Sequence, residues 1–281
     1  MTRFPALLIA FLACFVASDA RPNANVEANG FPNTAQVRLW YLHPPVELKL
    51  KAEAGQARYR KCAGCPENGV TALTLRATAY HVQIEGDKSA STEIRVTGVY
   101  QLTQGSSPAI TADFPVTIHA GDGKLLVTAA MPMDEYVAGV LAGETGAFKS
   151  DETLKAMAVT ARTYAMHFGR RHAIDGFDFC DSTHCQNLRL ADISPRLRKI
   201  INSTAGEVLW YDGEPAATYY HANCGGTTED GRYILGNDEQ RSPYLKQHSD
   251  AYCVRNGTNQ WQSEVSLPEL QRAHSPPRAS T

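Results

Sequence analysis

Glu144 continues an apolar stripe. Val137, Val140 and Leu141 recur at helical spacing and Glu144 takes the next i+3/i+4 position, so a helix here aims this carboxyl where its apolar face points. A carboxyl partly withdrawn from water holds its proton closer to neutrality and can serve as a general acid. The alternative is a helix that frays after Gly143, leaving Glu144 in a solvated turn between Gly143 and Gly146. A second group comprises His172, Cys180, His184 and Cys185, two imidazoles and two thiols within one loop. It can supply a tetrahedral zinc site of the two-Cys, two-His type, closed by four protein ligands and therefore structural, although the spacing is not that of a standard finger. The same Cys180 and Cys185 can instead close a disulfide, with both histidines on the surface.

The remaining thiols invite simpler readings. Cys62-Ala63-Gly64-Cys65 is a C-x-x-C in a β-rich region without the strand-to-helix setting of a redox motif, so a local disulfide is expected. Cys224 and Cys253 form a third pair that can bridge a hairpin end to the polar C-terminal segment. A thiol nucleophile, with Cys224 near His221 or Cys185 beside His184, lacks the helix N-terminus that lowers a thiol pKa. Lys155 and Arg162, seven residues apart, share one face of a helix, where they either bind a polar substrate or form a solvated face.

The elements that must position these groups fall into two halves. From Ala35 to about Thr128 the signal is strand, with alternation at Val37, Leu39 and Tyr41, then Val46, Leu48 and Leu50, then Leu73 and Leu75, then Ile94 and Val96. Pro115 to Thr128 reads as a hairpin turning at Gly121-Asp122-Gly123. At Met131 the period changes to 3.6. A helix is expected from about Met133 to Gly143, started by Pro132 and by Asp134 and Glu135 in its first turn. Ser150 caps a second helix whose stripe runs from Leu154 to Phe168, and a short helical stretch follows near Pro195 to Ser203. Val208–Tyr211 and Ala216–His221 flank a second hairpin turn at Asp212-Gly213-Glu214. The expected fold class is α+β: a β-rich module over 35–130, then a helical pair and hairpins over 131–270, with a disordered tail over 271–281.

Composition narrows the function. Hydrophobic residues make up 43% and charged residues 20% of the 281, enough for a packed core. Lys+Arg 27 against Asp+Glu 29 leaves a net charge of −2, which excludes a chain-wide basic field for nucleic acid or anionic membrane. Arg3, the apolar run Phe4 to Val16 and Ser18-Asp19-Ala20 read as a secretory signal peptide over 1–20. The run is shorter than the roughly 20 residues that span a bilayer, so no transmembrane segment is expected in the mature chain. Export to a periplasm, cell wall or extracellular space follows, with a lipid anchor at Cys14 as the lesser option.

Four blocks in order carry a resemblance: Met131-Pro132-Met133-Asp134-Glu135-Tyr136 through Glu144, Leu154-Lys155-Ala156-Met157 through Ala165, Phe177-Asp178-Phe179-Cys180 through Gln186, and Tyr220-His221-Ala222-Asn223-Cys224-Gly225-Gly226 through Glu229. Together they resemble the sporulation stage II protein D and LytB amidase-enhancer family (SpoIID/LytB). The resemblance implies a lytic transglycosylase acting on peptidoglycan glycan strands stripped of stem peptides, or a non-catalytic wall-binding enhancer of an amidase. It places Glu144 on the catalytic glutamate and Lys155 and Arg162 on basic positions linked to activity. Gln186, Tyr220 and His221 then join them as expected substrate-binding residues. It also favours zinc over a disulfide at His172, Cys180, His184 and Cys185. Cys224 stands where the family commonly has Ser, which with Cys253 points to a subgroup disulfide. A hydrolytic zinc site would need an open metal position, which four protein ligands deny.

Overall fold

A computed structural model describes residues 32–53, 55, 57–234, 242–255 and 262–268. The expected signal peptide, Cys14 and the tail over 271–281 lie outside the described residues.

The alternation read in the sequence becomes two sheets. In the seven-stranded sheet the order is Phe179–Cys180, Thr34–Leu39, Lys124–Pro132, Val116–Gly121, Glu93–Thr97, Ala57–Arg60 and Asn68–Val70. Glu47–Ala52 and Ala72–Ala77 are the central pair of the six-stranded sheet. Val37, Leu39, Ile94, Val96, Leu125, Val127, Ala129 and Met131 are buried at every second position and share one continuous core with the helices. Tyr41 and Val46 depart from the expected alternation, at 37% and 55% exposed. The strand ends at Leu39, and Trp40 adopts a positive φ of 53°, so both residues lie in a connection rather than on a pleat. The hairpin at Asp122-Gly123 forms as read: both turn residues have positive φ, 51° and 71°, the geometry that matches strand twist.

Lys124–Pro132 runs directly into helix α1 (Met133–Glu144), capped by Pro132 with Asp134 and Glu135 in its first turn. The helix keeps its hydrogen bonding through Glu144, one residue further than the periodicity demanded. Helix α2 (Asp151–His167) starts where Ser150 Oγ accepts the Glu152 N–H. Helix α3 (Pro195–Ser203) packs against both, and its Arg198 grips Glu135 at 2.6 and 3.0 Å. The second hairpin is shorter than expected. Only Trp210–Tyr211 and Glu214–Pro215 pair across Asp212-Gly213. The Ala216 N–H still donates to the Leu209 carbonyl at 2.9 Å, but the Leu209 N–H turns to the Thr163 hydroxyl at 2.9 Å, and the following residues pack on α2, where the Thr218 hydroxyl donates to the Thr160 carbonyl at 3.0 Å.

Candidate functional site

The site grows from the end of α1. Gly139 and Gly143 face the segment Asn187 to Leu190, and a Cβ on Gly143 would collide with the Asn187 backbone oxygen. This close approach lets the Asn187 N–H reach Glu144 Oε1 at 2.9 Å, while Asn187 Nδ2 donates to the Gly143 carbonyl at 2.9 Å. Arg189 N donates to the Gly139 carbonyl at 2.9 Å, so the loop is stitched along the helix. Glu144 is consequently half-buried and oriented, not frayed into solvent.

Glu144 opens on a groove of about 650 Å³ whose lining includes Met157 and Tyr164 of α2, Arg171, His184, Tyr219 and His221. Among the lining residues it is the single carboxylate. Tyr220 also lines the groove, its hydroxyl accepting the Gln186 Nε2–H at 3.0 Å. Burial raises the Tyr220 hydroxyl above the ordinary tyrosine value, the Gln186 hydrogen bond opposes this, and the Glu144 carboxylate adds to it.

Behind the groove lies the second constellation. One ligand atom from each of His172, Cys180, His184 and Cys185 falls within 4.8 Å of all the others. The Cys180 and Cys185 sulfurs are 3.4 Å apart, well beyond the roughly 2.05 Å of a disulfide. His184 Nδ1 lies 3.8 Å from each of them. His172 Nδ1 sits 3.3 Å from Asp175 Oδ2, and its buried Nε2 has no hydrogen-bond partner. Burial pushes the Cys185 thiol up to about 12, so a thiolate in this cage calls for a cation beside it. Desolvation, then the charges of Arg171 and His172, lower His184 and favour the neutral imidazole that a metal binds. The loop hangs on the sheet edge, where Phe179–Cys180 pairs parallel with Thr34–Leu39. Asp178 accepts the Gln36 N–H at 2.8 Å, and Asp181 accepts those of Trp40 and Tyr41.

Of the residues singled out in the sequence, Glu144, His184, Cys185, Tyr220 and His221 meet at the groove. Gln186 does not line it: at 1% exposed it lies behind Tyr220. Lys155 and Arg162 are not brought there either. At 100° per residue they sit on the side of α2 opposite Met157 and Tyr164. Arg162 is 1% exposed, contrary to a solvated face, and donates to Asp134 at 3.1 Å and to the Glu207 carbonyl at 3.2 Å. Lys155 pairs with Glu152 at 2.7 Å. Cys62 and Cys65 reach disulfide distance in the turn between Ala57–Arg60 and Asn68–Val70. The Cys224 and Cys253 sulfurs stand 3.6 Å apart, with Asp250 Oδ2 3.4 Å from Cys224, so this pair is adjacent without being bonded. Arg171 and Asn187 were missed. Arg171 lies in the Arg170-Arg171-His172 run just beyond the stripe of the second helix, and nothing in the pattern announces the Asn187 backbone contact.

A half-buried, oriented carboxyl in an open groove, beside a His/Cys cage on an α+β frame, is an arrangement that acid–base chemistry can use. Residues 121–211 match the model of the SpoIID family, stage II sporulation protein, from the Asp122 turn to the Trp210–Tyr211 strand. Over that stretch the chain is similar to the SpoIID family, which is associated with peptidoglycan hydrolysis. An uncharacterized protein of Brachyspira hyodysenteriae is 31% identical over 148 residues. That alignment covers 52% of this chain but only 39% of the relative.

Proposed function

We propose that this chain is an exported, cell-wall protein that cleaves peptidoglycan glycan strands as a lytic transglycosylase, with Glu144 as its acid and base. The observation that carries the reading is the solitary carboxylate: Glu144 faces the groove with no second acid among the lining residues. A hydrolytic glycosidase normally sets two carboxyls across the scissile bond. One suffices if the nucleophile comes from the sugar. Protonated Glu144 gives its proton to the glycosidic oxygen as the C1–O bond breaks, and the sugar's N-acetyl group steadies the oxocarbenium-like centre. The carboxylate then takes the proton of the C6 hydroxyl as that oxygen bonds to C1, closing a 1,6-anhydro ring without consuming water. The Asn187 N–H fixes one carboxyl oxygen throughout.

The His172, Cys180, His184 and Cys185 cage fits zinc, on the orphaned buried His172 Nε2 and the converging sulfurs. Bound there, zinc would be held by these four side chains and would cross-link the loop. Asp175 orients the His172 ring so that Nε2 is the free ligand atom. Incubation of denuded glycan strands with the protein, followed by product mass spectrometry, tests the proposal. Anhydro-ended fragments support it, reducing ends replace it with hydrolysis, and no product from folded protein replaces it with an amidase-enhancing, wall-binding role.

A further inference from the structure

Cys224 and Cys253 meet where two segments are held side by side by their backbones. Thr227 and Ser249 form an isolated bridge, the Asp250 N–H donates to the Gly226 carbonyl at 2.9 Å, and the Thr228 N–H donates to the His248 carbonyl at 2.8 Å. Gly226 has a φ of 105°, and a Cβ there would strike Val254 Cγ2 at 2.6 Å, so glycine is what lets the segments approach this closely. The frame stands without help from the thiols. On it one donor atom from each of Cys224, Asp250 and Cys253 lies within 4.8 Å of the other two. Asp250 divides its carboxylate: Oδ1 accepts the Tyr252 N–H at 2.8 Å, while Oδ2 lies 3.4 Å from Cys224 Sγ. Ligating carboxylates are held in this way by hydrogen bonds of their own.

The separations decide between a bridge and an ion. A disulfide brings its sulfurs to about 2.05 Å. Zinc bonds of about 2.3 Å to sulfur and about 2.1 Å to oxygen, opened to a tetrahedral angle, set two sulfurs about 3.8 Å apart and a sulfur and an oxygen about 3.6 Å apart. Here the two sulfurs stand 3.6 Å apart and the sulfur and oxygen 3.4 Å. A disulfide would also consume the Cys224 proton and leave Asp250 Oδ2 against a sulfur that cannot donate. We propose that Cys224, Asp250 and Cys253 are the three protein ligands of a second metal site, one for a thiolate-preferring divalent cation of the zinc class. The two thiolates select such an ion over calcium or magnesium, which take oxygen ligands, and three ligands leave one position to solvent. His221 of the groove lining lies three residues before Cys224, so the ion ties that wall to the segment 248–255. The site shares no ligand with the His172 to Cys185 cage and does not depend on the reaction proposed above.

The test uses the full chain, kept reduced and passed through gel filtration, with zinc then added stepwise. Three ligands hold an ion less tightly than four, so the filtered protein is expected to keep the cage ion alone and to take up one further equivalent on titration. Cys224→Ser and Cys253→Ser should each lose that further equivalent and keep the first, whose retention also shows that the variant folds. Asp250→Asn, which still accepts the Tyr252 N–H, should weaken the second step by about tenfold or more, since loss of even an outer partner of a ligand costs that much. Cobalt in place of zinc should give thiolate-to-cobalt charge-transfer absorption at the second equivalent, absent in Cys253→Ser. No second equivalent in reduced wild-type protein overturns the proposal, as does one that survives both cysteine variants, which marks adventitious binding at the surface. A Cys224–Cys253 cross-linked peptide in digests of protein isolated without reductant overturns it in favour of a disulfide. If the cage takes no ion, a single equivalent lost in Cys224→Ser and kept in His184→Ala still supports the site.

Discussion

The two sides of α2 are built from the same kinds of residue and do opposite things. On one side Met157 and Tyr164 help wall the groove, with Arg171 donating to the Tyr164 hydroxyl at 2.9 Å and kept at the surface in the lining that Glu144 shares. On the other side a second arginine, Arg162, is folded into the core against Asp134 and the Glu207 carbonyl. The first arginine is available to a ligand and the second is part of the frame. Which task a cation performs is decided by what the neighbouring element brings. Beside Arg171 the chain opens into a groove, whereas beside Arg162 it supplies a carbonyl and a carboxylate.

The sharpest way to break this contrast is at Glu144. Glu144→Gln keeps an oxygen for the Asn187 N–H, so thermal unfolding should be nearly unchanged while glycan cleavage falls by about 10²–10⁴-fold, the range of a lost general acid. Removing metal tests the loop behind the groove. Against protein in free zinc at about 1,000 times its dissociation constant, chelation should lower stability by about 4 kcal/mol, read as a drop in denaturant midpoint. Zinc analysis should give one ion per chain, lost in His184→Ala. On the far side of α2, Arg162→Ala leaves a buried void and a carbonyl without its donor. It should cost about 2–3 kcal/mol with activity per folded molecule retained. The smallest effect belongs to Lys155→Ala, whose exposed pair with Glu152 is screened by solvent, so the unfolding midpoint should stay at the wild-type value. A severalfold rise in KM there would return Lys155 to the substrate and erase the distinction between the two sides.

Much of the frame could be read from residue types. Asp122-Gly123 announced its turn because two positive-φ positions in succession demand such residues, and Ser150 announced a helix start because its hydroxyl replaces a missing backbone acceptor. Local chemistry of this kind survives in the sequence. The position of Glu144 was half-legible: the stripe gave its direction, but the Asn187 contact depends on a glycine at 143 admitting a distant loop. Gln186 and Arg162 were misplaced for one reason. A polar side chain is buried when tertiary neighbours satisfy it, and those neighbours lie 25 to 50 residues away for Gln186 and 28 to 45 for Arg162. The His172 to Cys185 cage was legible as a set, whereas the 3.4 Å between the Cys180 and Cys185 sulfurs, which leaves them unbridged, is something spacing does not encode.

The strand Phe179–Cys180 carries a consequence for how the molecule comes together. Its carboxylates at Asp178 and Asp181 clasp backbone amides 142 and 141 residues earlier in the chain. A contact that distant is among the slowest to form, because the intervening loop must lose its freedom before anything rewards the closure. The loop of the cage thus has an edge to lie on only where the first strand has found its place in the sheet. An excised peptide carrying the four ligands lacks that edge to lie on, and should hold a metal far more weakly than the folded chain.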